Sequence, residues 1–222
     1  ISSVEKDFYV LTRGFVAVEQ KRQVIEKGGD IPAKYLLDFS DSEEAENDGV
    51  LGLVNSSNEN IPIEYSSYNN ENNEFIINGN ITDVLNDGEQ ELKIVTSRNA
   101  VKIQLDIATK FIYDAEDLAS INESEKSLSG FYLLMNDIDL TAYLSEGGKG
   151  HNDGKGWDPI GSYQDVIDTN EATRYSFKGT FDGNGFVISG LSAKRKDVKS
   201  FNFGLFGYVT SSGIIRNLGV EG

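Results

Sequence analysis

Short apolar segments separated by glycine recur through the last third of the chain. They are FKGTFDGNGFVISGL at 177–191, FGLFG at 203–207 and IIRNLGV at 214–220. The Ile-x-x-Leu pattern that begins at Ile188 recurs at Ile215, an offset of 27 residues. The Phe-Asp-Gly at Phe181 is echoed by the Phe-Gly at Phe206, an offset of 25 residues. A repeat of this length is typical of solenoids, in which similar units stack along one axis.

The repeated segments have the character of strands rather than helices. They are short, and glycine separates them at points where the backbone must turn or approach closely. Residues 182–185, Asp-Gly-Asn-Gly, are a strong tight-turn signal, because Asn and Gly tolerate the left-handed backbone conformations of such turns. We therefore predict a parallel β-helix, with an ordinary turn-rich β domain as the alternative. The side chains expected inside it are Phe177, Phe181, Ile188, Leu191, Leu205, Phe206, Ile215 and Leu218.

These motifs, in this order, resemble the repeat region of bacterial surface proteins that carry the GLUG motif. The segments that carry the resemblance lie at 137–140, 157–161, 177–185, 188–191, 204–207 and 214–220. Such regions occur in adhesins, and beside or within large cell-wall proteases similar to the immunoglobulin A1 metallopeptidases of family M26. The resemblance covers roughly residues 111–222 and implies a surface β-helix. It assigns no catalytic residue to this chain.

Composition restricts the partners and the chemistry. The 36 acidic and 20 basic residues give a net charge of −16, which opposes binding to nucleic acid and to anionic membranes. The absence of cysteine excludes disulfides, thiol catalysis and cysteine zinc sites. Together with the resemblance, this composition predicts an extracellular protein of the bacterial cell surface. No apolar run reaches the ~18 residues of a membrane span, and no signal peptide is visible at Ile1.

The first half of the chain predicts a different β-rich domain. Its β-prone segments lie at 8–11, 15–18, 35–39, 50–54, 61–65, 74–77, 91–96 and 101–107. Their spacing predicts an immunoglobulin-like β-sandwich over residues 1–108, without the cysteine pair of antibody domains. In the last segment, Val101, Ile103, Leu105 and Ile107 alternate with Lys102, Gln104 and Asp106, as a half-buried strand requires.

Three segments of this half leave alternatives open. Residues 16–27 suit a helix nearly as well as strands, and we assign strands. The acidic stretch at 41–48 and the polar stretch at 69–73 are interpreted as solvated loops. No cofactor is predicted, with calcium binding at these carboxylates as the alternative.

The domain boundary is predicted near residues 108–111, where the acidic first half gives way to a less acidic second half. The second domain, 109–222, is then the start of a right-handed parallel β-helix with a short capping helix. Asp114 is an N-cap candidate for that helix, with Asp117 three positions later. Residues 131–134 and 138–140 are expected to form the first strands. The strand-like segment at 218–222 leads us to expect further repeats in a longer, monomeric chain.

Candidate catalytic chemistry is sparse. His151 is the only histidine, so a zinc site with two histidines is impossible, and its Gly-rich loop suits a catalytic base poorly. We predict no catalytic residue and no metal ligand. Asp137 and Asp139 share one strand face, which keeps open the alternative of a polysaccharide lyase or glycosidase.

Candidate binding residues are an aromatic residue and a basic stretch. Trp157 is expected to pack against the repeats, with an exposed platform for sugar rings as the functional alternative. Lys194, Arg195 and Lys196 form a basic stretch in an acidic protein and are candidates to contact an anionic glycan. The predicted function is therefore a non-catalytic surface module that binds or presents to a host protein or glycan. A purely structural stalk is the other alternative.

Overall fold

The computed structural model describes residues 17–18, 20–38, 50–96, 100–161, 175–194 and 204–222. The chain divides into two compact units between Ile107 and Ala108, here called unit 1 and unit 2. Strands dominate both units, so the predicted all-β class is confirmed. The expected strand at 8–11, the acidic loop at 41–48 and the basic residues Arg195 and Lys196 lie outside the described residues.

Unit 1 contains two sheets. Its strands are β1 (Ala17–Val18), β2 (Arg22–Glu26), β3 (Ala33–Asp38), β4 (Val50–Asn55), β5 (Asn60–Ile61), β6 (Ser66–Asn69), β7 (Glu74–Ile77), β8 (Gly88–Thr96) and β9 (Ala100–Ala108). Sheet 1 has the order β1-β3-β7-β6, with antiparallel pairs. Sheet 2 has the order β2-β9-β8-β4-β5, in which β8 pairs antiparallel with both β4 and β9.

One hydrophobic core joins the two sheets of unit 1. Tyr35 and Phe75 enter it from sheet 1, while Leu92 and Leu105 enter it from sheet 2. Along β3, buried and exposed side chains alternate strictly, because successive residues of a strand face opposite sides of the sheet. The apolar alternation that the sequence shows in these strands therefore marks the faces that meet.

Unit 1 agrees with the sequence-based expectation for residues 16–27 and differs from it at residues 61–65 and at Asp106. The ambiguous segment at 16–27 contains strands β1 and β2, as assigned. The strand expected at 61–65 is wrong, since β5 ends at Ile61 and Ile63–Tyr65 form a 3-10 turn. Pro62 explains this end, because proline has no N–H to donate to a sheet. Asp106 was expected on the polar face of β9, but its side chain is fully buried.

Unit 2 is built from short strands in two parallel sheets. Its elements are β10 (Lys110–Ile112), α1 (Ala115–Ser120), β11 (Phe131–Leu134), β12 (Ile138–Asp139), α2 (Thr141–Leu144), β13 (Thr180–Asp182), β14 (Val187–Ser189), β15 (Ile214–Arg216) and β16 (Gly219–Val220). Sheet 3 has the order β10-β11-β13-β15, and sheet 4 the order β12-β14-β16. From β11 onward the chain passes repeatedly from sheet 3 to sheet 4, so each pass adds one strand to each sheet.

The register between successive passes corrects the predicted repeat. Phe181 pairs with Ile215 in sheet 3, and Ile188 pairs with Val220 in sheet 4, which are offsets of 34 and 32 residues. The offset of 27 matched Ile188 of sheet 4 to Ile215 of sheet 3, so it joined residues that do not stack on each other. The Asp-Gly-Asn-Gly signal marks the corner between the sheets, where Asn184 and Gly185 have φ values of 52° and 83°.

Asp114 is the N-cap of helix α1, as expected, and the helix begins at Ala115. The Asp114 carboxylate accepts hydrogen bonds from the backbone N–H groups of Glu116 and Asp117, both at 2.9 Å. Leu118 and Ile121 are buried in the core of unit 2, so this short helix covers part of that core. In the described part of the chain, no helix is long and apolar enough to cross a lipid bilayer.

Most of the expected interior positions of unit 2 face its core. Phe177, Phe181, Ile188 and Leu205 are buried, and Leu191, Phe206 and Leu218 are half-buried against them. Ile215 pairs in register with Phe181, as an interior position would, but its side chain is 40% exposed. Ile215 lies in β15, the strand at the edge of sheet 3, where no further strand of the described chain covers it.

Candidate binding surface

Trp157 lies in the core of unit 2 rather than on its surface. Its side chain is 2% exposed, and the indole N–H donates a hydrogen bond to the carbonyl of Leu205 at 3.0 Å. The ring also packs against Tyr143, with 6.3 Å between the ring centroids. The binding role considered for Trp157 is therefore corrected, because a buried indole offers no face to a sugar ring.

Lys194, the described member of the basic stretch, lies opposite a second lysine. An isolated antiparallel bridge joins Gly156 and Ala193, which places Lys155 and Lys194 across from each other. The backbone N–H of Lys194 donates to the carbonyl of Lys155 at 2.7 Å, and both side chains are exposed. We call this pair, Lys155 and Lys194, the basic corner.

The basic corner differs from most of the other basic positions of unit 2. Seven basic residues of this unit are described, and four of them pair with a carboxylate: Lys110, Lys149, Lys178 and Arg216. Neither lysine of the basic corner forms such a pair with a described residue, and the same is true of Lys126. Among the described residues, no carboxylate thus compensates the positive charge of the basic corner.

Asp137 and Asp139, the acids considered for catalysis, are hydrogen-bonded to the backbone. One oxygen of Asp137 accepts from the N–H of Val187 at 2.8 Å. This bond connects the corner between β11 and β12 to strand β14 of the next pass. One oxygen of Asp139 accepts from the N–H of Thr141 at 2.8 Å. Hydrogen bonds from the Thr141 side chain and from this N–H lower the pKa of Asp139. Both acids therefore have structural roles in the turns beside sheet 4.

A third acid, Asp182, ties two neighbouring strands of sheet 3 together. Its carboxylate accepts from the Arg216 Nε at 2.8 Å and from the Asn217 side-chain amide at 3.0 Å. It also accepts from the backbone N–H of Asn184 at 3.0 Å. Burial alone would raise the pKa of Asp182, but these hydrogen bonds and the Arg216 charge outweigh it and hold the pKa below its usual range.

We expect Asp182 to make unit 2 sensitive to acid. Because its pKa is lowered by folding, its stabilising effect is complete above the unfolded pKa of about 4 and is lost as the pH falls through the folded value. Asp182→Asn cannot titrate, so its free energy of unfolding should fall less than that of the parent chain between about pH 5 and pH 2. Urea unfolding followed by Trp157 fluorescence measures both; equal losses would contradict the assignment.

His151 lies in a turn with left-handed backbone. Asn152, Asp153 and Gly154 all have positive φ values, and the carbonyl of His151 accepts from the N–H groups of Gly154 and Gly156. Over the described ranges, no group of three or more His, Cys, Asp or Glu side chains could hold a metal ion.

Comparison with known proteins gives two partial sequence matches, and no family model matches the chain. A protein of Evansella cellulosilytica named Gly-rich membrane protein is 40% identical over 91 residues, which is 41% of this chain and 8% of that protein. Halomucin of Haloquadratum walsbyi is 35% identical over 102 residues, 46% of this chain and 1% of halomucin. The chain thus spans less than a tenth of the length of either relative.

Among solved structures, the similarity is weak. Two crystal structures of a tri-modular GH5 (subfamily 4) endo-β-1,4-glucanase from Bacillus licheniformis, one complexed with cellotetraose, align with TM-scores of 0.32 and 0.30. The sequence identities are 12% and 14%, and each alignment covers 44% of this chain and 20% of the enzyme. Similarity at this level carries no argument about fold or activity.

Sequence reasoning found Lys194 but missed Lys155. The two lysines are 39 positions apart in the sequence, and only the bridge between Gly156 and Ala193 brings them together. The one local signal in the sequence was the glycine at position 156. In the structure Gly156 has a φ of 77°, and a Cβ added at this position would lie 2.1 Å from the Ser192 carbonyl oxygen. A position that admits only glycine indicates close backbone approach, but it does not identify the segment that approaches.

Proposed function

We propose that this chain is a non-catalytic module of a cell-surface protein, which binds or presents to a glycan or a host protein. In this proposal, unit 1 is an immunoglobulin-like β-sandwich and unit 2 is a right-handed parallel β-helix of the GLUG type. Two packed sheets around one core in unit 1 support the first assignment. Parallel strands in register across successive passes support the second.

The structural use of the candidate acids carries the non-catalytic part of the proposal. A glycosidase needs two carboxyl groups held at a defined separation beside the scissile bond. Asp137 and Asp139 instead accept backbone hydrogen bonds in turns, and Asp182 joins β13 to β15. These acids thus stabilise the turns and the strand pairing of unit 2.

The names of the two relatives support a surface location. One is named as a membrane protein and the other as a halomucin, and the matched segments are small parts of both. A match to small parts of two long proteins suits a module rather than a complete enzyme. We therefore extend the proposal to an extracellular location on the cell surface, with this chain as one part of a longer polypeptide.

We expect the purified chain to release no product from polysaccharides. The test is incubation with plant, microbial and host polysaccharides, with and without Ca²⁺, followed by assay of new reducing and unsaturated ends. A product that appears with the parent chain and disappears with Asp137→Asn or Asp139→Asn would overturn the proposal. His151→Ala serves as a control variant and should behave as the parent chain does.

A further inference from the structure

We propose that the basic corner binds an anionic polysaccharide, one whose sugars carry carboxylate or sulfate groups. This inference rests on the proposed function, because it names the ligand class of the same module. Lys155 and Lys194 supply two exposed ammonium groups from opposite sides of one backbone bridge.

The two lysines of the basic corner carry like charges at close range. Two lysines directly opposite each other in an antiparallel bridge repel each other, and this arrangement reduces stability. Carboxylates pair with Lys110, Lys149 and Lys178, but no described residue supplies one to Lys155 or Lys194. An anionic ligand would neutralise such a pair of positive charges.

Backbone hydrogen bonds hold the base of the corner, which suits a binding site. The backbone N–H of Trp157 donates to the Ser192 carbonyl at 2.8 Å, directly beside the bridge. The Trp157 side chain is in turn held in the core by its hydrogen bond to Leu205. Because the backbone under both lysines is fixed in this way, only their side chains need to become ordered when a ligand binds.

Charge density and the burial of Trp157 favour a polysaccharide over nucleic acid. Duplex DNA carries one charge per about 1.7 Å, so the net charge of −16 would repel it strongly. A glycan with one carboxylate or sulfate per sugar carries fewer charges over the same length. Single-stranded nucleic acid is held by stacking of bases on exposed aromatic rings. Trp157, the aromatic residue that adjoins the corner, is buried.

The experiment compares two double variants that change the net charge equally. Lys155→Gln with Lys194→Gln removes the basic corner. Lys34→Gln with Lys102→Gln removes two exposed lysines of unit 1, which pair with Glu74 and Glu91. Isothermal titration with polygalacturonate and with chondroitin sulfate gives the affinities, dextran is the neutral glycan and single-stranded DNA the competing polyanion. Circular dichroism and Trp157 fluorescence confirm that both variants are folded.

We expect the parent chain to bind at least one of the two anionic glycans, more weakly as salt increases, and to leave dextran unbound. Loss of the basic corner should weaken that binding about tenfold or more, while the control variant should stay within about twofold of the parent chain. Binding of only the sulfated or only the carboxylated glycan would support the inference and would identify the group recognised.

Four results would overturn the inference. They are equal binding by the two double variants, tighter binding to single-stranded DNA than to either glycan, no binding to either anionic glycan, and binding to dextran that survives loss of the corner. The last of these would leave the proposed binding function in place. Cleavage of a glycan by the parent chain would overturn the proposed function instead, so the two failures are distinguishable.

Discussion

The Phe181→Ala variant should lose about 3–5 kcal/mol of unfolding free energy, as truncation of large buried aromatic residues does. Phe181 is fully buried in unit 2, and its ring packs edge to face on Phe206 with 5.5 Å between the centroids. It also lies in register between Tyr132 and Ile215, so its loss leaves a cavity between successive passes. Urea unfolding followed by Trp157 fluorescence reports on unit 2, because Trp157 is the only tryptophan and belongs to this unit.

Ile215→Ala is the matched control in the same column of sheet 3. Ile215 pairs directly with Phe181, but it is 40% exposed, so its truncation should cost less than about 1 kcal/mol. The two variants should therefore differ clearly in the loss of unfolding free energy. A loss at Ile215 as large as the loss at Phe181 would mean that Ile215 is covered in solution, and that the edge of sheet 3 is not where the structure places it.

The Arg22→Met variant should lose about 3–5 kcal/mol, because it leaves a buried charge without its partner. Asp106 is fully buried in β9 and accepts from the Arg22 Nε at 2.6 Å and from the Gln104 amide at 2.9 Å. Methionine keeps the apolar stem of the arginine but not its charge. Thermal unfolding followed by far-ultraviolet circular dichroism measures the loss.

Two further variants distinguish the effect of the Arg22–Asp106 pair, in which Asp106 is buried, from the effect of an exposed surface pair. Lys102→Met breaks the exposed pair with Glu91 and should cost only about 0–1 kcal/mol. Adding Asp106→Asn to Arg22→Met should recover part of the stability, because no charge is then buried alone. If the double variant were as unstable as the sum of the two single variants, the two residues would not be coupled and the explanation would fail.

The strands of unit 1 were predictable where one face of a sheet is apolar. The alternation in β9 marks Ile103, Leu105 and Ile107 as core, and the structure buries all three. The burial of Asp106 on the other face could not be predicted, because it depends on Arg22, which is 84 positions away in the sequence. Pro62 did carry a local signal, which the apolar residues on either side of it concealed.

Unit 2 shows why a repeat can be recognised before its register is known. The corners that join sheet 3 to sheet 4 contain three, four and two residues in successive passes, at 135–137, 183–186 and 217–218. The shorter last corner changes the offset between equivalent residues from 34 in sheet 3 to 32 in sheet 4. The Ile-x-x-Leu match, with its offset of 27, instead aligned strands of different sheets. The glycines and asparagines of the corners were readable from the sequence. The pairing of Lys155 with Lys194 was not, because it is a long-range contact between two loops.

The proposal that the module binds a glycan without cleaving it is tested most directly in one sample. The chain is incubated with the anionic polysaccharide that it binds best, and both the bound fraction and the molar-mass distribution of the recovered polymer are measured. The account predicts salt-sensitive binding that falls about tenfold when Lys155 and Lys194 are replaced, with the polymer recovered at its original length. Recovery of shortened polymer, or binding that ignores both lysines, would contradict it.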